Sequence, residues 1–322
     1  MGKLRGFLGV VAVLALASAA TLTTLRSLDT SARLPAMATA FASYAVLGYL
    51  LAFLLLLLVV RRAGRARRPV QLALVLSLAG LVAHCYWLAP QLVGGHGVRS
   101  DLTVMSSNLR FGVGDPDTVV AAATDRKVDV LVLEEVTPTE LAALDRAGLS
   151  QLLPNQVGRP ATTASGTMVF SRYRLGSPNR VLVSNGGLSV EVAAPRPFRL
   201  LAVHTAQPVD EVTLWHNDLL EVKHQAAAAV DRGPTLVVGD FNATRDHPRF
   251  RSVLGVGLRD AAEQANSGWQ PTWPTGSRAW YLRPVVTIDH VLVSKEFAAV
   301  DTATIDVQGS DHRALVVDLQ RR

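Results

Sequence analysis

Two patterns of apolar positions divide this chain. Up to about residue 100 the apolar residues come in three long runs, roughly 6–25, 35–60 and 70–93. Each is near or above the ~20 residues an α-helix needs to cross a bilayer, so the pattern predicts a membrane region, residues 1–100, with three transmembrane helices. After "VGGHGVRSD" the runs shorten and are spaced by polar or helical stretches. Strands are predicted at 102–107, 128–135, 166–171, 187–193, 198–205, 234–240, 287–294 and 312–319, and helices at about 116–126, 138–147 and 209–231. Their interleaving predicts an α/β domain with one core over residues 101–322.

The first run also has features of a signal peptide, with "MGKLR" before the apolar stretch and "ASA" (Ala17 to Ala19) as a cleavage-like site. Apolar character that continues to Leu25 favours a retained helix, and the topology is the same under either reading.

Composition sharpens the division. Hydrophobic residues make up 49% of the 322, and the excess lies in the first hundred. Between the second and third runs stands "RRAGRARR", with Arg61, Arg62, Arg65, Arg67 and Arg68 and no acid. Positive loops stay cytoplasmic, so with Lys3 and Arg5 the predicted order is in, out, in, out. That leaves the N-terminus inside and everything after about residue 100 extracytoplasmic, on a multi-pass protein of the cytoplasmic membrane. Residues 1–100 hold ten Lys or Arg and one acid, a net of +9 out of the chain's +6, which leaves −3 for residues 101–322. The soluble part therefore lacks the basic footprint of a non-specific nucleic-acid binder. The single cysteine, Cys85, excludes an intramolecular disulfide; its neighbours His84, Tyr86 and Trp87 read as an interfacial aromatic belt.

The chemistry lies in how the soluble strands end. "MSSNLR" presents Asn108, "VLVLEEV" presents Glu134 and Glu135, "LLAVHT" presents His204, and "VVGD" presents Asp240 with Asn242 two residues on; "TIDHVLVS" starts with Asp289 and His290, and "GSDHRALVV" with Asp311 and His312. One such site alone is an ordinary turn. Six together fit a shared rim able to hold a hard cation and a phosphate. A phosphoester is anionic and repels hydroxide, so hydrolysis needs a neutralising cation, and Mg²⁺ prefers carboxylate and carboxamide oxygens. Water also needs a positioned base, and imidazole beside a carboxylate titrates in the useful range.

The succession "SSNLR", "LEEV", "AVHT", "GDFNA", "IDHVLVS" and "SDHRAL" resembles the endonuclease/exonuclease/phosphatase superfamily, in motif order across residues 101 to 319. The resemblance implies a four-layer sandwich, two packed β-sheets flanked by helices, with the site at one end of the sheets. It implies metal ligation by Glu135, with Asn108 and Asp311 beside it, for Mg²⁺ with Mn²⁺ as the alternative ion. Glu134 stands where the family commonly has Gln, which suits a supporting role. Asp240 would orient or deprotonate the attacking water, Asn242 would hold a phosphate oxygen, Asp289 would accept a hydrogen bond from His312, and His204 would touch the phosphate or assist the leaving group. Arg172, in "VFSRY", resembles a segment near the family's active-site rim and is expected to bind substrate. Alternation along its strand turns His290 away from the site. His216, His224 and His247 read as surface histidines, and Trp273 as a packing residue.

The predicted linker from the third span is about eight residues, a reach of at most ~27 Å, so the domain works at the membrane surface. Three tethering spans with an outward catalytic domain resemble membrane-anchored actinomycete members of this family associated with teicoplanin resistance, which implies action on undecaprenyl-linked phosphates of the cell wall. The expected function is a metal-dependent phosphohydrolase acting on a lipid-linked phosphate such as undecaprenyl pyrophosphate. The alternatives are a membrane-tethered extracytoplasmic nuclease, which the charge disfavours, and a phospholipid or sphingomyelin phosphodiesterase, for which no apolar insertion loop is identifiable. A non-catalytic scaffold conflicts with the complete set of polar strand ends. No protein partner is evident.

Overall fold

A computed structural model describes residues 2–60, 66–93, 99–275 and 283–322. Arg61, Arg62 and Arg65 of the basic loop, and residues 94–98 of the linker, lie outside the described residues. The chain forms two units, one of Met1–Pro90 with Asp246–Pro248 and one of Gln91–Arg245 with Arg249–Arg322.

The first unit is helical: α1 (Gly2–Ser27), α2 (Arg33–Thr39), α3 (Ala45–Val60) and α4 (Arg67–Leu88). Three stretches, Lys3–Ser27, Ala42–Val60 and Arg67–Gln91, are long and apolar enough to cross a membrane, with mean hydropathy of 2.1, 2.5 and 1.9. The second apolar run is not one helix, because α2 is separate and the span begins at Ala42. Large apolar side chains such as Leu14, Leu58 and Val75 face outward, while small Ala12, Ala19, Ala45 and Ala52 let the helices approach closely. The Thr23 hydroxyl lies 2.9 Å from both Tyr49 OH and His84 Nε2. His84 is thus buried inside the bundle, unlike exposed Tyr86, because its ring nitrogen finds a partner there. His247 is also buried, not at the surface as expected, with its Nε2 3.0 Å from the Ala36 carbonyl oxygen.

In the second unit the predicted alternation produces strands. They are β1 (Leu102–Asn108), β2 (Val130–Glu134), β3 (Asn155–Gly158), β4 (Met168–Ser171), β5 (Asn179–Arg180), β6 (Gly187–Val192), β7 (Phe198–His204), β8 (Thr235–Asp240), β9 (Leu258–Asp260), β10 (Asp289–Ser294), β11 (Phe297–Asp306) and β12 (Arg313–Arg321). The helices are α5 (Pro116–Asp125), α6 (Pro138–Arg146), α7 (Leu149–Leu152), α8 (Val212–Val230), α9 (Pro248–Leu254) and α10 (Ala261–Gln264). Two six-stranded sheets form, in the orders β11-β12-β1-β2-β4-β3 and β5-β6-β7-β8-β10-β9. Each is mixed, with β1 parallel to β2 and β7 parallel to β8.

Period-2 alternation sorts the side chains into layers. Val104, Val130 and Val132 join Leu200, Ala202, Leu236, Val238, Val291 and Val317 in one apolar cluster. Their strand neighbours Met105, Leu131 and Leu133 belong to a second cluster with Val119 and Ala123 of α5 and Leu144 of α6. On α8 the buried positions Trp215, Leu219, Val222 and Ala226 recur at helical spacing. Helix, sheet, sheet, helix is the four-layer order expected. Asp115 and Thr137 cap α5 and α6 by accepting from the N–H groups of Thr118 and Glu140, which fixes where the helices start on the segments that leave β1 and β2.

Candidate active site

Sheet register assembles the site. Asn108 and Glu134 are partners across β1 and β2; His204 and Asp240 are partners across β7 and β8; Asp289 faces Asp240 across β8 and β10. All five stand at strand termini. Gly239 makes the approach between the sheets possible: a Cβ there would collide with the Val203 carbonyl and stand 2.9 Å from Glu134 Oε1.

Backbone strain collects here. Six non-glycine residues among those described have positive φ, and four of them, Arg110 (48°), Phe111 (55°), Glu135 (60°) and Asn242 (47°), belong to this rim. Such conformations cost ~1–3 kcal/mol each and persist where the surroundings fix them. The fixing bonds are present. Arg110 N–H donates to Asn108 Oδ1 at 2.9 Å, Phe111 N–H to Glu135 Oε2 at 2.7 Å, and Asn242 N–H to Asp240 Oδ1 at 2.8 Å.

One network links the side chains. Asn108 Nδ2 donates to Asp240 Oδ2 at 3.1 Å and to Glu135 Oε1 at 3.3 Å. His312 Nδ1 lies 2.9 Å from Asp289 Oδ2, and its Nε2 lies 3.8 Å from Asp240 Oδ2. His204 Nε2 is 3.6 Å from Asp240 and 3.9 Å from Glu135, with Nδ1 3.2 Å from the Ala164 carbonyl. Asn242 Nδ2 donates to the Thr205 carbonyl at 3.0 Å. Asp311 stands at the exposed edge, 3.9 Å from Arg110 Nε.

The electrostatics show an excess of buried negative charge. Burial, then the Asp289 and Asp240 charges, push Glu134 well above the ordinary carboxyl value. Burial raises Glu135 against the opposing bonds from Phe111 and Asn108. Burial and the Asp289 charge push Asp240 up to about 7. Burial opposes protonation of His312, but Asp289 and Asp240 outweigh it and raise it to about 10. Burial, then the His312 charge, lower His204 to about 4.

These residues fit a hard divalent cation. The donors are carboxylate and carboxamide oxygens, the chain's own positive charge does not balance the buried acids, and Glu134 Oε2 is buried without a hydrogen-bond partner. One ligand atom each from Asp240, Asp289 and His312 lie within 4.8 Å of one another, a group able to hold a metal ion.

Of the nine site residues expected from sequence, eight gather here: Asn108, Glu135, His204, Asp240, Asn242, Asp289, Asp311 and His312. Arg172 does not. It follows Ser171, which pairs with Val130, at the end of β2 opposite Glu134, and its Nη1 is 3.2 Å from Asp129 Oδ1. His290 faces away, with Nδ1 2.7 Å from Asp260 and Nε2 2.9 Å from the Ala243 carbonyl. His224 is exposed as expected, whereas His216 is buried against Trp215, so its place on α8 is part of the packed face.

Several residues with supporting roles were not singled out in the sequence. Asp218, in the middle of α8, accepts from Ser184 N–H, Ser184 Oγ and Ala206 N–H, while Trp215 Nε1 donates to the Phe241 carbonyl. One turn of helix therefore braces three segments beside the site. The Thr272 hydroxyl accepts from the N–H groups of Ile288 and Asp289, and Ser310 Oγ donates to the Asn108 carbonyl. Only Ser310 had a clue, its place inside "GSDH".

Comparison with known proteins agrees with this fold. Solved structures with the same fold include an endonuclease/exonuclease/phosphatase from Bacteroides vulgatus (17% identity, TM-score 0.53, covering 70% of this chain and 100% of that one). A mannosyl-6-phosphatase of Bacteroides thetaiotaomicron matches at 18% identity and TM-score 0.52, over 68% of this chain and 100% of its own. Truncated TDP2 of Caenorhabditis elegans matches at 17% and 0.56, over 68% and 97%. No curated protein matches. The profile described as the Endonuclease/Exonuclease/phosphatase family matches residues 105–312, from within β1 to His312. The chain therefore belongs to the endonuclease/exonuclease/phosphatase family, whose members are phosphoester hydrolases that generally depend on a divalent metal.

Proposed function

We propose that this protein is a Mg²⁺-dependent phosphohydrolase acting at the outer face of the cytoplasmic membrane on a lipid-linked phosphate, with undecaprenyl pyrophosphate as the leading substrate. The observation that carries the hydrolase chemistry is the single network joining Asn108, Glu135, His204, Asp240, Asp289 and His312. Three helices apolar enough to span a membrane, with Lys3 and Arg5 at one end of the first, support the location. A role in cell-wall precursor recycling or glycopeptide resistance follows from that substrate.

Glu135, Asn108 and Asp311 would hold the ion, with Asp240, Asp289 and His312 as the second acidic group facing it. The ion supplies charge neutralisation at the phosphoryl oxygens and orientation of substrate. The remaining work belongs to the chain. Asp240, central to the network, accepts a proton from the attacking water. His312, fixed through Nδ1 by Asp289, directs Nε2 at a phosphate oxygen. Asn242 holds a second oxygen, and His204 lies on the leaving-group side. A nuclease activity is the weaker reading because the soluble unit carries −3 over residues 101–322.

The test is phosphate release from undecaprenyl pyrophosphate by the solubilised full-length protein with Mg²⁺, with EDTA, and by His312→Ala. Metal-dependent release lost in the variant is expected. Equal release by wild type and variant would refute the site assignment; release from DNA instead would refute the substrate.

A further inference from the structure

The turn that leaves β1 has a rigid backbone and two exposed apolar side chains. Arg110, Phe111 and Gly112 are consecutively left-handed, with φ of 48°, 55° and 70°. Gly112 is pressed against α6, where a Cβ would stand 2.5 Å from Thr137 Oγ1. Val113 and Gly114 N–H both donate to the Leu109 carbonyl at 2.9 Å, and Asp115 N–H donates to the Gln308 carbonyl at 2.7 Å. The turn is therefore held from α6, from the loop before β12 and, through Phe111 N–H, from Glu135.

Leu109 is fully buried, yet Phe111 is 54% and Val113 60% exposed. Backbone geometry does not ask for an aromatic at Phe111. Gly or Asn would hold φ of +55° with less strain, so what phenylalanine adds is its ring. That ring is carried on the residue whose own N–H binds the Glu135 carboxylate. An exposed ring on a residue that adjoins the metal-site carboxylate is available to a group attached to a phosphate bound there.

We infer that Phe111, with Val113 beside it, is a specificity-determining contact for a hydrocarbon group attached to the phosphate, so that the site selects amphiphilic phosphoesters. This rests on the phosphohydrolase reading above and narrows its substrate class. The occupant is the substrate's own hydrocarbon, because the contact is continuous with the metal-site residues through one backbone hydrogen bond.

The test uses full-length protein held in amphipol and two probes, methyl and octyl p-nitrophenyl phosphate, both kept below the concentration at which they aggregate. Wild type is expected to favour the octyl ester in kcat/KM, chiefly through a lower KM. Phe111→Asn, chosen because Asn tolerates positive φ, should reduce that preference about tenfold, the scale at which an apolar pocket discriminates. Val113→Ser should reduce it by a smaller factor, and provides a second reading if Phe111→Asn does not fold. A preference retained in both variants overturns the inference while leaving hydrolysis of the methyl ester to support the active site. A loss seen only with substrate embedded in vesicles would place Phe111 against the bilayer and also overturns it. Failure of wild type on both esters would overturn this inference, while metal-dependent release from undecaprenyl pyrophosphate would leave the phosphohydrolase reading standing.

Discussion

Asp129 and Asp240 are both buried aspartates at strand ends of one sandwich, but their surroundings differ. Asp129, just before β2, accepts from Thr103 N–H at 2.9 Å and from Tyr173 OH at 3.4 Å, and meets Arg172 at 3.2 Å. The protein supplies its counter-charge. Asp240, at the other end of the strand layer, has Asp289 opposite it in register, Glu135 in the same network and, among the described residues, only imidazoles as cationic partners. Burial and Asp289 raise it to about 7. Asp260 completes the comparison. Burial opposes its ionisation too, but His290 outweighs this and holds it below the ordinary value. Asp129 and Asp260 are paired by the fold itself, whereas at the site the acids are grouped, which leaves room for an external cation.

Breaking the site end should have the largest effect. Asp240→Asn keeps the shape but removes the proton acceptor, and turnover should fall by about 10²–10⁴-fold, the usual contribution of a positioned acid or base. Rates measured with Mg²⁺ beside a thermal melt would check it; near-normal rates would remove Asp240 from the chemistry.

The structural pair should respond the other way. His290→Gln leaves Asp260 buried without its ion-pair partner and should destabilise the fold by about 3 kcal/mol, read as a lower denaturation midpoint. Residual folded enzyme should keep most of its activity, and an activity loss matching that of Asp240→Asn would contradict the division drawn here.

Metal should tune the same contrast. Saturating Mg²⁺, at about 100 times its dissociation constant, should stabilise the catalytic unit by about 2.7 kcal/mol, and EDTA should reverse this. The same titration on Glu135→Gln should show a reduced response. An equal response in both would argue that the ion binds elsewhere.

A smaller effect concerns Glu140, whose carboxyl is pushed up to about 7 by burial and then by the Asp115 charge. Because the unfolded chain releases this proton near its ordinary 4.5, folded stability falls as pH rises from there through about 7. Glu140→Gln should therefore gain on the order of 1 kcal/mol over wild type at pH 8, after allowance for screening, and nothing at pH 4. The smallest effect is expected from Arg172→Ala. Its half-exposed ion pair with Asp129 is worth about 0–1 kcal/mol, and kcat/KM should not move; a raised KM would restore the substrate role expected from sequence.

Much of this was legible because local pattern and burial agree. All eight strands expected from alternation exist, and the three expected helices fall at α5, α6 and α8. The elements not foreseen, β3, β5, β9, β11 and the short helices α7, α9 and α10, are short, exposed or weakly alternating, and the strands among them form where a neighbour supplies the ladder. Arg172 falls away from the cluster for a similar reason. Its segment is a strand end, but the direction in which β4 runs against β2 puts it at the end away from Glu134.

By itself, then, the sequence determined the apolar spans, the alternating strands and the residue types that close them, because periodicity and polarity act over a few neighbouring residues. Only the tertiary structure decided which strand ends meet. Asn108 reaches Asp240 across 132 positions, and Asp218 braces segments 12 and 34 residues away. Such contacts depend on strand order and register, which arise when two sheets bury one common apolar layer.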